Sequence, residues 1–182
     1  MSENIGKDGE MRFAITIAGA SIRENGLDFT RHTVTNQPDL GVDYSAKGPA
    51  EVLISFCEIG TGTELGVIRE AFGQPDRKIE ARFDIKTTEE KLAGDTVEKF
   101  VSDVKKHPTT DLHVLAGGSG LTKSAQAKFE TYSAALQEDG KALVYIPNQG
   151  LAKLASEYKP EILSALGGPT GTDESGPGSE SK

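Results

Sequence analysis

The chain of 182 residues has one cysteine, Cys57, so no disulfide framework or cysteine metal cluster can be built within one copy, and a reducing compartment suits it. It also lacks a long apolar run. The stretch from Phe13 to Ala20 is too short to span a bilayer, and it follows an acidic opening (Glu3, Asp8, Glu10) where a secretory leader would be basic. Neither a membrane span nor a signal peptide is expected, and the expected location is cytoplasmic. Basic residues are in the minority, 20 Lys and Arg against 28 Asp and Glu, for a net charge of -8. That balance argues against a generally basic coat for nucleic acid. Residues 1–10 and 167–182 each contribute -2, which leaves -4 on residues 11–166 and room for a local basic or metal-loaded site. No internal repeat is present, and residues 167–182 contain no large apolar side chain that could offset the entropy of ordering them.

What remains is enough for one core. A hydrophobic content of 36% over this length predicts a single α/β domain at residues 11–166, between a flexible N-terminus (1–10) and a disordered acidic tail (167–182). Residues 78–166 read as βαβαβα, because the apolar spacing switches regularly between periods of 2 and 3.6. Ile79, Ala81, Phe83 and Ile85 alternate with Glu80, Arg82, Asp84 and Lys86, the pattern of a strand buried on one face. Asp95 with Glu98 has capping-box spacing, and Val97, Phe100, Val101 and Val104 form a helical stripe that ends before Pro108. Leu112–Ala116 and Ala142–Ile146 are further strands. Ala125, Phe129, Tyr132 and Leu136 mark a helix between them, and Leu151 to Leu166 form a last helix that Pro160 should kink or restart. Earlier in the chain, Phe13–Ala18 and Val52–Phe56 read as strands, Phe29–Thr35 as a third, and Gly62–Phe72 as a helix. The fold class expected is α/β, a mixed, mainly parallel sheet flanked by helices.

Two constellations could carry chemistry. Alternation along the strand at Phe83 places Asp84 and Lys86 on one face, roughly 7 Å apart. A carboxylate and an ammonium so placed can hold a divalent cation and orient a water against a phosphodiester, although an exposed strand face with ion pairs accounts for the same residues. The second constellation is a pair of glycine loops, Gly60-Thr61-Gly62-Thr63-Glu64-Leu65-Gly66 and Gly117-Gly118-Ser119-Gly120. Read as strand-to-helix turns, they would expose N–H groups and a helix dipole to a phosphate, the basis of a nucleotide-binding or regulatory module. Neither completes a dinucleotide or P-loop fingerprint. His32, His107 and His113 share no metal-ligand spacing, and His113 reads as a core histidine.

The order Asp84-Ile85-Lys86, the helix at Thr96–Val104, Asp111-Leu112-His113-Val114-Leu115, Gly118-Ser119-Gly120-Leu121-Thr122-Lys123-Ser124-Ala125, and Leu143-Val144-Tyr145-Ile146 with Gly150-Leu151-Ala152-Lys153-Leu154 resembles the C-terminal half of Mrr-type restriction endonucleases. That family has the PD-(D/E)xK nuclease fold. The resemblance spans residues 84–154 and departs from the family at Leu121, where an aromatic is usual. It implies a restriction-endonuclease-like fold and a Mg²⁺-dependent nuclease acting on DNA, with Asp84, Lys86 and Asp76 as the catalytic set. Asp84 would hold the metal with a second acid. For that second acid Asp76 is the family-like choice, with seven residues between it and Asp84, and Asp43 in Gly41-Val42-Asp43 is the other. The run after Asp43, Cys57-Glu58-Ile59-Gly60, has glycine where a lysine is required. DNA is the partner implied, no membrane is expected, and a homodimer is one assembly open to the chain.

Overall fold

The computed structural model describes residues 5–32 and 43–167, with side chains from Gly9 onward. Helix α1 (Ile5–Arg23) leads into strands β1 (Asp28–Arg31) and β2 (Tyr44–Pro49); helices α2 (Ala50–Thr61) and α3 (Gly66–Phe72) then lead to β3 (Lys78–Lys86). From there α4 (Gly94–Ser102) and a 3-10 turn (Asp103–Lys106), β4 (Leu112–Gly117), α5 (Lys123–Glu138), β5 (Ala142–Ile146), α6 (Asn148–Glu157) and α7 (Lys159–Ala165) complete the chain. The expected βαβαβα unit is present. Pro160 restarts the last helix in a first turn that needs no proline N–H.

The sheet has the order β1-β2-β3-β4-β5, its first two pairings antiparallel and its last two parallel. It is therefore mixed, and half parallel where a mainly parallel sheet was expected. The antiparallel β2–β3 pair is not a tight hairpin, because α2 and α3 are inserted between its strands.

Helices cover the sheet on two sides. On one, Phe13 and Ile17 of α1, Phe56 of α2, and Leu154 and Tyr158 near the α6–α7 junction pack on Tyr44, Phe83, Val114 and Val144. Phe83 is fully buried, with its ring 5.1 Å from Phe13 and 5.9 Å from Phe56, and truncation there should cost about 3–5 kcal/mol. On the other side, Val97, Phe100 and Val104 join Ala125 and Phe129 of α5 over Leu115 and Leu143. At the first layer α2 and α6 meet backbone to backbone. A Cβ on Gly150 would lie 1.8 Å from the Gly60 carbonyl oxygen, so a side chain at Gly150 would force the helices apart.

Four local expectations are corrected. Phe13–Ala18 and Val52–Phe56 lie inside α1 and α2, because so short an apolar run carries no period that separates strand from helix. Residues 5–10, expected to be a flexible terminus, are the first turns of α1. Ala93, not Asp95, caps α4; Asp95 accepts only its neighbour's N–H (Thr96, 2.9 Å) and Glu98 instead binds Lys128 (2.6 Å). The strand expected at Phe29–Thr35 ends at Arg31 as β1, and its last residues, like the tail from 168 on, lie outside the described residues.

Candidate active site

Strand β3 is not the half-exposed strand its alternation predicts. Arg82 and Asp84, on the face expected to be polar and wet, are 1% and 3% exposed. A buried guanidinium must be satisfied from several sides. The Arg82 Nε donates to His113 Nδ1, its Nη2 donates to the Phe100 carbonyl (2.7 Å), and the cation lies 4.6 Å from the Phe100 ring centre. Burial holds Arg82 down to about 10, against the raising fields of Asp84 and Asp103. Burial first, then the Arg82 charge, pushes His113 down to about 3, so it is a neutral core histidine, as its apolar strand predicts.

Two residues beyond Arg82 the strand delivers Asp84, and two further Lys86, whose Nζ lies 2.8 Å from Asp84 Oδ1. The β2–β3 register, Tyr44 opposite Phe83, carries on to set Asp43 opposite Asp84 at the mouth of this strand pair. The Asp43 N–H donates to the Phe83 carbonyl (3.0 Å), and its Oδ2 accepts the Ile85 N–H at 2.6 Å, midway between Asp84 and Lys86. Burial and the neighbouring Asp84 push the Asp43 carboxyl up to about 6; Glu10 adds to the rise, while the Ile85 N–H and Lys86 oppose it. Asp43, Asp84 and Lys86 are thus brought together by two adjacent strands. Of the two acids open as partner for Asp84, Asp43 is the one that meets it.

Asp76 is not part of this group. It is exposed two residues before β3, and the strand from Lys78 to Asp84 alone spans roughly 20 Å. Glu10, counted by sequence with the flexible terminus, is instead at the site: its backbone carbonyl accepts the Tyr44 hydroxyl (2.9 Å) and its carboxylate lies 3.4 Å from Arg31. The signal for it was helical spacing, since Glu10, Phe13 and Ile17 continue one face of α1. His32 sits across from Asp43, its N–H on the Asp43 carbonyl (2.9 Å) and its Nε2 2.8 Å from Ser45 Oγ.

The glycine loops separate. The first is not a strand-to-helix turn: Gly60 is inside α2 and Gly62 is that helix's left-handed C-cap. The second, Gly117-Gly118-Ser119-Gly120, does join β4 to α5, and it flanks the site. Gly117 has φ 118° and pairs with Lys86, and a Cβ there would lie 1.9 Å from the Lys86 carbonyl oxygen, so only glycine lets the lysine's strand end approach. The Ser119 N–H goes to Glu90 (3.0 Å), the Gly118 and Gly120 carbonyls accept from Asn148 and Leu92, and Thr122 caps Ala125 with its side chain (3.2 Å).

The donor chemistry fits a hard divalent ion. Among the described residues no group of three or more His, Cys, Asp or Glu could hold a metal; Mg²⁺, however, is commonly held by one or two carboxylates with substrate phosphates and water completing its shell, and Asp43 and Asp84 are two such carboxylates. A cation there would also offset the burial and the Asp84 charge that raise Asp43. Among the described residues no helix is long and apolar enough to cross a membrane. No family model matches the chain, and no curated protein or solved structure is significantly similar to it.

Proposed function

We propose that this protein is a Mg²⁺-dependent, nuclease-like domain of the PD-(D/E)xK kind that acts on DNA in the cytoplasm. One observation carries the reading: adjacent strands hold Asp43 against the Ile85 N–H, opposite Asp84, with the Lys86 ammonium on Asp84. This is an acid at the entrance to one strand facing an acid-x-lysine segment on the next, the constellation that phosphodiester hydrolysis calls for.

Asp43 and Asp84 would hold the ion, which when bound supplies charge neutralisation and Lewis-acid polarisation of a phosphoryl oxygen. The chain supplies the rest. Lys86, half-buried and held by Asp84, would position the attacking water and stabilise negative charge that builds on the phosphate. The Ile85 N–H fixes the Asp43 carboxylate, so little reorganisation is left for the reacting state. Buried Arg82 places a permanent positive charge behind Asp84. The acidic surface makes a cation necessary before a phosphate backbone can approach.

The test is cleavage of linear and supercoiled DNA with Mg²⁺ or Mn²⁺, against a chelator control. Metal-dependent cutting that Lys86→Ala removes while the fold stays intact is expected. Wild-type protein that neither cuts nor binds DNA with either ion, or a Lys86→Ala variant that cuts as well as wild type, would overturn the assignment and leave these residues as structural ion pairs.

A further inference from the structure

Helix α1 is apolar on both sides. Its inner side, Phe13, Thr16, Ile17 and Ala20, is at most 3% exposed. At 100° per residue the opposite side is Met11, Ile15, Ala18 and Ile22, and there Met11, Ile15 and Ile22 are 57%, 44% and 56% exposed. Their spacing of four, three and four is the a/d seam of a coiled coil, with β-branched isoleucine at both positions of one type, and no charged residue interrupts it. Helix α7 flanks α1, with Ile162 against Gly19 and Glu161 2.7 Å from Arg23, and adds Leu163 at 50% exposure and, at its end, Leu166 at 78%.

We infer that the outer face of α1 is a self-pairing seam, through which two copies of this chain associate about a two-fold axis. Three observations select a second copy as the occupant. The four-three-four spacing is complementary to itself, as an isologous contact requires. The five exposed side chains present on the order of 500 Å² of apolar surface per chain, so pairing two copies removes about 1,000 Å², the size at which a specific interface begins. A net charge of -8 repels the anionic lipid surfaces that apolar helix faces otherwise seek. The inference stands independently of the nuclease reading.

Sedimentation equilibrium of the full chain should give twice the 19.3 kDa monomer mass, and the melting temperature should rise with protein concentration, as association linked to folding requires. Ile15→Glu with Ile22→Glu should weaken the dimer at least tenfold and remove that concentration dependence while the helical circular dichroism stays unchanged. Should the double variant misfold, Ile15→Ser with Ile22→Ser provides the same reading with less perturbation. A wild-type monomer at about 100 µM, an unweakened dimer in a folded double variant, or binding of the wild type to phosphatidylserine vesicles that the serine variant abolishes would each overturn the seam.

Discussion

The two ends of β3 both carry acids, and they neutralise them differently. At the Lys78 end, Glu80 faces Lys47 at 3.3 Å and takes the Thr110 hydroxyl, while Asp111 faces Arg77 at 3.5 Å and accepts the Glu80 N–H. Each acid there has a cation of its own. At the Lys86 end, Asp84 has the Lys86 ammonium at 2.8 Å and the buried Arg82 charge beside it, while Asp43 accepts a backbone N–H and feels the negative fields of Asp84 and Glu10. The balanced end is a surface network of the kind that contributes little to stability. The Lys86 end holds in Asp43 a carboxyl raised by burial and by the Asp84 charge, an arrangement that folding alone would not favour, and perturbed carboxyls of this kind concentrate where a protein binds ions or does chemistry.

The contrast sharpens most through Lys86. Lys86→Ala should lower the DNA cleavage rate about 10³-fold, or about 4 kcal/mol of transition-state stabilisation, in a single-turnover assay with Mg²⁺. Next in size is the buried layer behind the site. His113 is neutral in the fold and titrates near 6.5 when unfolded, so its contribution is complete above pH 6.5 and is lost as pH falls toward 3. Urea unfolding between pH 6.5 and 4 should show wild type losing about 3 kcal/mol more than His113→Gln.

A smaller effect of opposite sign belongs to Asp43. Its folded pKa is raised from 3.8 to about 6, so its stabilisation is whole below pH 4 and disappears as pH rises through 6. After allowance for solvent screening, Asp43→Asn should be more stable than wild type at pH 8 by about 2 kcal/mol, some 4–8 °C by calorimetry, while metal binding is lost. An Asp43→Asn variant destabilised at pH 8 would break the picture of two crowded carboxylates. Smallest of all, Asp76→Ala at the balanced end should leave cleavage unchanged and stability within about 0.5 kcal/mol.

The same division separates what the sequence reveals from what it conceals. From β3 onward each helix is amphipathic and each strand short, so Val97-Phe100-Val104 and Phe129 announced their elements through spacing alone. In α1 the exposed Ile15 falls between buried Phe13 and Ile17 and imitates a strand's alternation. Helix α2 is apolar on nearly every side because it lies between the sheet and α6. At the site, Asp84 and Lys86 were legible because period 2 puts them on one face. Asp43 could be read only as one of two alternatives, because residues 50–77 intervene between its strand and the strand it pairs with. The burial of Arg82 had no local signal, since its partner His113 is held in place by a parallel strand 31 residues away.

The insertion of two helices between the paired strands also governs when the site can exist. Asp43 and Ile85 are 42 residues apart in the chain yet share a hydrogen bond, so the contact carries a loop-closure cost that is recovered only as α2 settles against the sheet. During synthesis, which proceeds from the N-terminus, no nascent chain that ends before Lys86 contains the whole constellation. On refolding, helical signal should therefore rise before the Asp43–Ile85 contact closes, and a chain caught between the two events would be structured but chemically silent.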